Sequence, residues 1–153
     1  EKMKLKIPLG RVIWTESAIS LFSRTLSLLL RAGIPLLTGV GLASQAIPNK
    51  YLASRTAPLP ACIKNGESLS ESLAKTEFFP PLSLDMVRIG ETSANLGEML
   101  KEVAEVYDES IQAKIDTFVS LIEPIIIIFM GLLVALMLLS VYLPIFNIIK
   151  VAR

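Results

Sequence analysis

Histidine is absent from the 153 residues. That excludes histidine-based catalytic triads, most zinc sites and any di-iron site that needs an imidazole. Cysteine occurs once, at Cys62, so no internal disulfide can form, which fits a reducing compartment. The thiol reads as a small, partly buried apolar group. Charge of one sign is also lacking: Lys+Arg number 15 against 14 Asp+Glu, so nothing in the balance points to direct contact with nucleic acid. There is no glycine-rich phosphate loop, no Gly-x-Ser-x-Gly elbow and no cysteine with a histidine base. Catalytic residues, bound cofactors and a metal are therefore not expected, and neither is enzyme activity.

What the chain has in abundance is apolar side chains, 52% of residues, with a mean hydropathy of +0.59. Much of the excess lies in one run. No charge occurs between Glu123 and Lys150, and residues 125–139 contain no polar side chain. A transmembrane helix needs about 20 mainly apolar residues, and residues 124–149 exceed that, so tilt or an interfacial tail is expected. The remainder suits one soluble domain. The division expected is a basic juxtamembrane linker at 1–14, a helical bundle at 15–121, a transmembrane helix at 122–149 and a tail at 150–153. Glu1 opens the chain with no initiating Met and no signal-peptide pattern, so it reads as part of something longer.

Lys2, Lys4, Lys6 and Arg11 alternate with apolar residues, which fits a short strand, a basic run beside a preceding membrane segment, or a solvated linker. In residues 17–32, Ala18, Ile19, Phe22, Leu26, Leu29 and Leu30 recur at helical steps, while Arg24 and Arg31 argue against a second span. Gly33 supplies a helix stop, and Pro35 opens a second helix reaching about Ala46. Asn49 can cap a third, which Pro58 and Pro60 must kink or break. Asn65 and Gly66 end that element, and Ser68 with Glu71 forms a capping box for a short helix through Lys75. Phe78, Phe79, Pro80 and Pro81 mark the next junction, with the aromatics as core plugs. Leu82, Met86 and Ile89 then share one helical spacing, and Gly90 follows.

Asn95 with Glu98 offers a second capping signal. After it Leu96, Leu100, Val103, Tyr107, Ile111, Ile115, Phe118 and Ile122 fall on one broad face of a long helix. Glu98, Glu102, Glu105 and Glu109 fall on the opposite face. Carboxylates one turn apart can share calcium or magnesium or form an acidic docking surface. They also suit a solvated face, to which Lys101 and the placement of Glu98 near the helix start contribute. No strand of any length is predicted, so the fold class expected is all-α: a bundle of about six helices whose last member continues into the membrane.

At the boundary, Glu123 is either an interfacial carboxylate or a partner-facing one, and Pro124 should bend the helix where the soluble part meets the span. Gly131 and Ala135 form a small-x-x-x-small pair suited to close helix contact. A membrane-tethered sensor or receptor bundle remains an alternative function. A transporter fragment would need polar groups inside the span, and residues 125–139 have none.

Six landmarks in order resemble the type II secretion system protein F family, the inner-membrane platform proteins of type II secretion and type IV pilus assembly. They are Phe22-Ser23-Arg24-Thr25-Leu26 with Leu29-Leu30-Arg31-Ala32-Gly33-Ile34-Pro35-Leu36; Gly66-Glu67-Ser68-Leu69-Ser70; Phe79-Pro80; Gly90-Glu91 with Asn95-Leu96; Leu121-Ile122-Glu123-Pro124; and Tyr142-Leu143-Pro144-Ile145-Phe146. The family usually shows Gly-Glu-x-Ser-Gly-Asn-Leu. Here Ala94 stands at the second glycine and Gly97 where an acidic residue is common. Pro58 and Pro60 fall where family members mostly continue a helix.

The resemblance implies the second of two cytoplasmic helical repeats plus the final span. It implies a non-catalytic platform in the bacterial inner membrane, with the bundle facing the cytoplasm. The partners it implies are a hexameric assembly ATPase, other inner-membrane assembly proteins, pilin or pseudopilin subunits, the lipid bilayer and further copies of the protein. The possible partner contact is Glu91, Asn95, Glu98, Glu102, Glu105 and Glu109. Lys150 and Arg153 against Lys114 would put the tail in the cytoplasm by charge count; the resemblance puts it outside, and that assignment is preferred.

Overall fold

A computed structural model describes residues 8–151, with side chains for residues 12–140. Lys2, Lys4, Lys6 and Arg153 lie outside the described residues, as do the side chains of Arg11, Lys150 and the 142–146 landmark. The described chain is helical, without a strand: α1 (Pro8–Arg31), α2 (Leu36–Ala46), α3 (Lys50–Thr56), α4 (Leu59–Lys64), α5 (Leu69–Ala74), α6 (Pro81–Thr92) and α7 (Leu96–Val151). The described residues divide into two compact units, one ending at Gln112 and the other beginning at Ala113.

Helix boundaries follow local chemistry. α1 begins at Pro8, earlier than the periodicity indicated, because proline is tolerated in a first turn. It stops in a Schellman motif. Gly33 takes φ 82°, its N–H donates to Leu30 O and that of Ile34 donates to Leu29 O, both at 3.0 Å. The Asn49 side chain accepts from the amides of Tyr51 and Leu52, capping α3. Pro58 does not merely kink the next stretch. It is the cap residue of a separate helix, α4, which raises the number of helices among the described residues to seven. Ser68 and Glu71 form the capping box of α5: Glu71 N–H donates to Ser68 Oγ at 3.1 Å, and Ser68 N–H donates to the Glu71 carboxylate at 3.4 Å.

Every helix contributes to one core in the first unit. Ala18, Ile19, Phe22 and Leu26 of α1 pack with Val40 and Ala43 of α2, Leu52 of α3, Leu59 of α4, Leu69 and Leu73 of α5, Val87 of α6, and Leu100, Val103 and Tyr107 of α7. Phe79 is buried and meets Phe22 edge-on, with ring centroids 5.7 Å apart.

On two helices burial departs from the apolar spacing. On α6 the buried positions are Ser83, Val87 and Gly90, while Leu82 and Ile89 are exposed. Gly90 explains the choice. A Cβ there would lie 2.8 Å from Met99 Cβ and 3.0 Å from Leu96 Cα, so α6 and α7 approach too closely for large side chains at the crossing. On α7 burial follows the expected face through Tyr107, falls to partial at Ile111, and is gone at Ile115, Phe118 and Ile122.

Candidate docking face and membrane helix

The residues singled out as possible contacts divide by what they touch. Glu91 lies on α6, but its carboxylate closes the start of α5, accepting from Leu69 N–H at 2.5 Å, Ser70 N–H at 3.2 Å and Ser70 Oγ at 2.7 Å. Asn95 does not cap α7 with its side chain. Its own N–H donates to Gly90 O at 3.0 Å, and Glu98 turns to Lys101 Nζ at 3.3 Å in place of the cap. Lys101 also lies 3.6 Å from Glu105, and these two carboxylates hold its ammonium pKa up. Glu102 and Glu109 are exposed and have no ion-pair partner among the described residues. Nor do these residues hold a Cys/His/Asp/Glu group able to ligate a metal.

The base of α7 lies against α1. Ser27 Oγ donates to Gly97 O at 2.6 Å, and a Cβ at Gly97 would come within 3.2 Å of Arg31 Cγ. Further along, Ser20 Oγ donates to Asp108 at 2.5 Å, Arg24 pairs with the same carboxylate, and Ser110 Oγ donates to Glu16 at 3.3 Å. Burial raises the Tyr107 phenol pKa, a hydrogen bond with Ser83 opposes the rise, and nearby Glu16 adds to it.

Sequence reasoning passed over three features. Ser72 and Lys75 have Ser-x-x-Lys spacing, but Ser72 Oγ donates to Ser68 O at 2.8 Å and Lys75 pairs with Glu67 at 2.6 Å, so neither activates the other. Arg55 lies over the Tyr51 ring, 5.8 Å from its centroid, and pairs with Glu77 at 2.9 Å. Glu77 itself holds a left-handed backbone, φ 62°. The third feature is the capping role of Glu91.

Taken alone, residues 113–140 form a helical stretch whose side chains are exposed apart from a partly covered Lys114. α7 is long and apolar enough to cross a membrane. The helix assignment continues through Glu123 and Pro124. Two hydroxyls bond into its ladder just before them: Thr117 Oγ1 donates to Ala113 O and Ser120 Oγ to Thr117 O, both at 2.8 Å. Nothing lies within 4 Å of a Cβ built at Gly131, leaving the Gly131 and Ala135 strip open.

A family profile described as type II secretion system (T2SS), protein F, matches residues 22–144. The chain belongs to the type II secretion system protein F family. It is 34% identical over 143 residues to the type 4 fimbrial assembly protein PilC of Pseudomonas putida, covering 94% of this chain and 36% of that protein. Identity is also 34% over 144 residues to the type II secretion system protein F of Pseudomonas aeruginosa, covering 94% and 35%. To the type IV pilus assembly protein PilC of Thermus thermophilus it is 31% over 150 residues, covering 97% and 37%. The chain thus spans little more than a third of these relatives' lengths. Ala94 follows the cap of α6 with φ 55°, a left-handed turn that glycine adopts without strain.

Proposed function

We propose that this chain is a non-catalytic platform element of a type II secretion or type IV pilus assembly machine. In this reading it sits in the bacterial inner membrane with the bundle in the cytoplasm, works as a homo-oligomer with other inner-membrane assembly proteins, and couples a hexameric assembly ATPase to extraction of pilin or pseudopilin subunits. The observation that carries the reading is α7. One helix holds both the core residues Leu100, Val103 and Tyr107 and the apolar stretch after Glu123. A displacement of the bundle has a covalent route into the bilayer through Glu123 and Pro124, the proposed hinge. Gly131 and Ala135 offer the span a close-packing strip for a neighbouring helix.

The acidic face formed by Glu98, Glu102, Glu105 and Glu109 is the proposed ATPase contact, with Asn95 at its edge. Lysine at all four positions should abolish co-purification of the full-length protein with the assembly ATPase of its own machine; undiminished co-purification would remove this face from the contact. A reporter fused after Arg153 tests topology, and activity restricted to the cytoplasm would overturn the assigned orientation. The rival, a tethered sensor bundle, needs room for a ligand. Clefts of about 140 Å³ beside Arg55 and Glu77, 290 Å³ beside Ile19 and Phe78 and 410 Å³ beside Leu30 and Asn95 are available, and a small molecule found bound in any of them would favour that rival.

A further inference from the structure

α6 and α7 form an antiparallel pair, fixed where Gly90 meets Leu96 and Met99 and where Ser83 meets Tyr107. At about 100° per residue, Leu82, Met86 and Ile89 form a stripe beside the buried line of Ser83, Val87 and Gly90. Val106 lies on the side of α7 that carries Met99, toward α6, and Glu102 and Glu109 border it one turn before and one turn after. Leu82 is 59% exposed, Ile89 57% and Val106 40%. Met86 is half-buried, forming the floor. The result is an apolar strip over about two helical turns with a carboxylate border.

We infer that the strip formed by Leu82, Met86, Ile89 and Val106, bordered by Glu102 and Glu109, docks an amphipathic helix carrying Lys or Arg beside its apolar stripe, supplied by another protein of the machine. The pattern of one residue per turn matches how a helix lays its apolar anchors along a groove. The border selects among occupants. A second copy pairing through this strip would bring Glu102 and Glu109 near their own equivalents, and an anionic lipid surface would meet the same repulsion, whereas a basic helix meets two carboxylates without an ion-pair partner among the described residues. Glu98 and Glu105 contribute less because Lys101 lies between them. This deepens the proposed platform reading by stating the chemistry of one contact, yet the results that support or overturn it are read from the peptide and do not depend on the ATPase.

The probe is a fluorescein-labelled Leu/Lys amphipathic peptide of roughly five helical turns. It is titrated onto the full chain in phosphatidylcholine nanodiscs, with empty nanodiscs subtracted. Binding is expected to weaken at least about tenfold, near 1.4 kcal/mol, in Leu82→Ser with Ile89→Ser, and separately in Glu102→Gln with Glu109→Gln. It should be unchanged in Leu28→Ser, an exposed leucine on α1. The glutamine pair keeps the surface polar and serves if the serine pair lowers helicity. Equal binding of a Leu/Glu peptide or a scrambled Leu/Lys peptide would overturn the inference, as would full affinity in both double variants. A fall in oligomer mass in the serine pair without loss of peptide binding would instead assign the strip to a second copy. If peptide binding is lost as expected but ATPase co-purification is unaffected, the ATPase contact fails and the strip stands.

Discussion

The Glu91 carboxylate accepts the Leu69 amide at 2.5 Å and the Ser70 amide at 3.2 Å, so a residue of α6 supplies a cap for α5. α5 has only six residues and could not hold itself as an isolated helix. It persists because Ser68 satisfies one end amide from within and Glu91 satisfies two from outside.

Glu91→Ala should therefore destabilise the bundle by about 2 kcal/mol, the upper range for a lost cap. Glu91→Gln, which keeps one carbonyl acceptor, should cost roughly half as much. Urea unfolding of the full chain, followed by the ellipticity of the bundle, measures both. Charge reversal at Glu91 would weaken any partner binding by melting α5, so docking tests belong at Glu102 and Glu109.

Ala94→Gly should stabilise the chain by about 1 kcal/mol, because a non-glycine residue in the left-handed region costs roughly that much. The Asn95 N–H to Gly90 O bond closing the turn is retained. Glu77→Gly relieves the same strain at φ 62° but loses the pair with Arg55, so its gain should be smaller. A thermal melt in which Ala94→Gly lowered the midpoint would contradict this account.

Gly90→Ala should destabilise by about 1–3 kcal/mol, the usual cost of overpacking, since the new methyl group would press on Met99 and the Leu96 backbone. Met99→Ala in the same chain should recover part of the loss, and a double-mutant cycle reads the coupling.

Sequence reasoning succeeds where the partners are close along the chain. The Asn49 cap, the Ser68 and Glu71 box and the Gly33 stop depend on neighbours within a few positions, so local chemistry exposes them. Glu91 acts on amides 21 and 22 positions earlier, and no local pattern announces that. On α6, Leu82, Met86 and Ile89 share a helical spacing and carry the larger side chains, yet the core takes Ser83, Val87 and Gly90, which let α7 approach. Along α7 the spacing persists through Ile115, Phe118 and Ile122 although burial ends near Ile111. Periodicity alone cannot say where a partner surface stops.

The Glu67 and Lys75 pair gives a pH signature. The hydrogen bond from Lys75 holds the Glu67 carboxyl below its ordinary value of 4.5, against a smaller opposing effect of burial. That contribution is full above 4.5 and is lost as pH falls through the depressed folded value. Glu67 likewise holds Lys75 above 10.5, so its share is full below 10.5 and lost as pH rises through the elevated value. Stability from this pair should be flat between those limits and reduced by salt. Lys75→Met should flatten the acid limb in urea titrations at low ionic strength; an unchanged acid limb would remove the pair as its source.

Pro124 tests the proposed hinge. It lacks an N–H, so the Ser120 carbonyl loses its partner one turn back, and the ring crowds that carbonyl. The Ser120 hydroxyl is itself turned to Thr117 O and the Thr117 hydroxyl to Ala113 O, placing three departures from a plain ladder within residues 113–124. If this stretch bends as the machine works, Pro124→Ala should stiffen it by up to about 3 kcal/mol. Membrane insertion, bundle stability and ATPase co-purification should stay unchanged while pilus assembly or secretion falls. Thr117→Val with Ser120→Ala should have the same sign and a smaller effect. Full assembly activity in the Pro124→Ala protein, at normal abundance, would mean that motion reaches the bilayer without bending here.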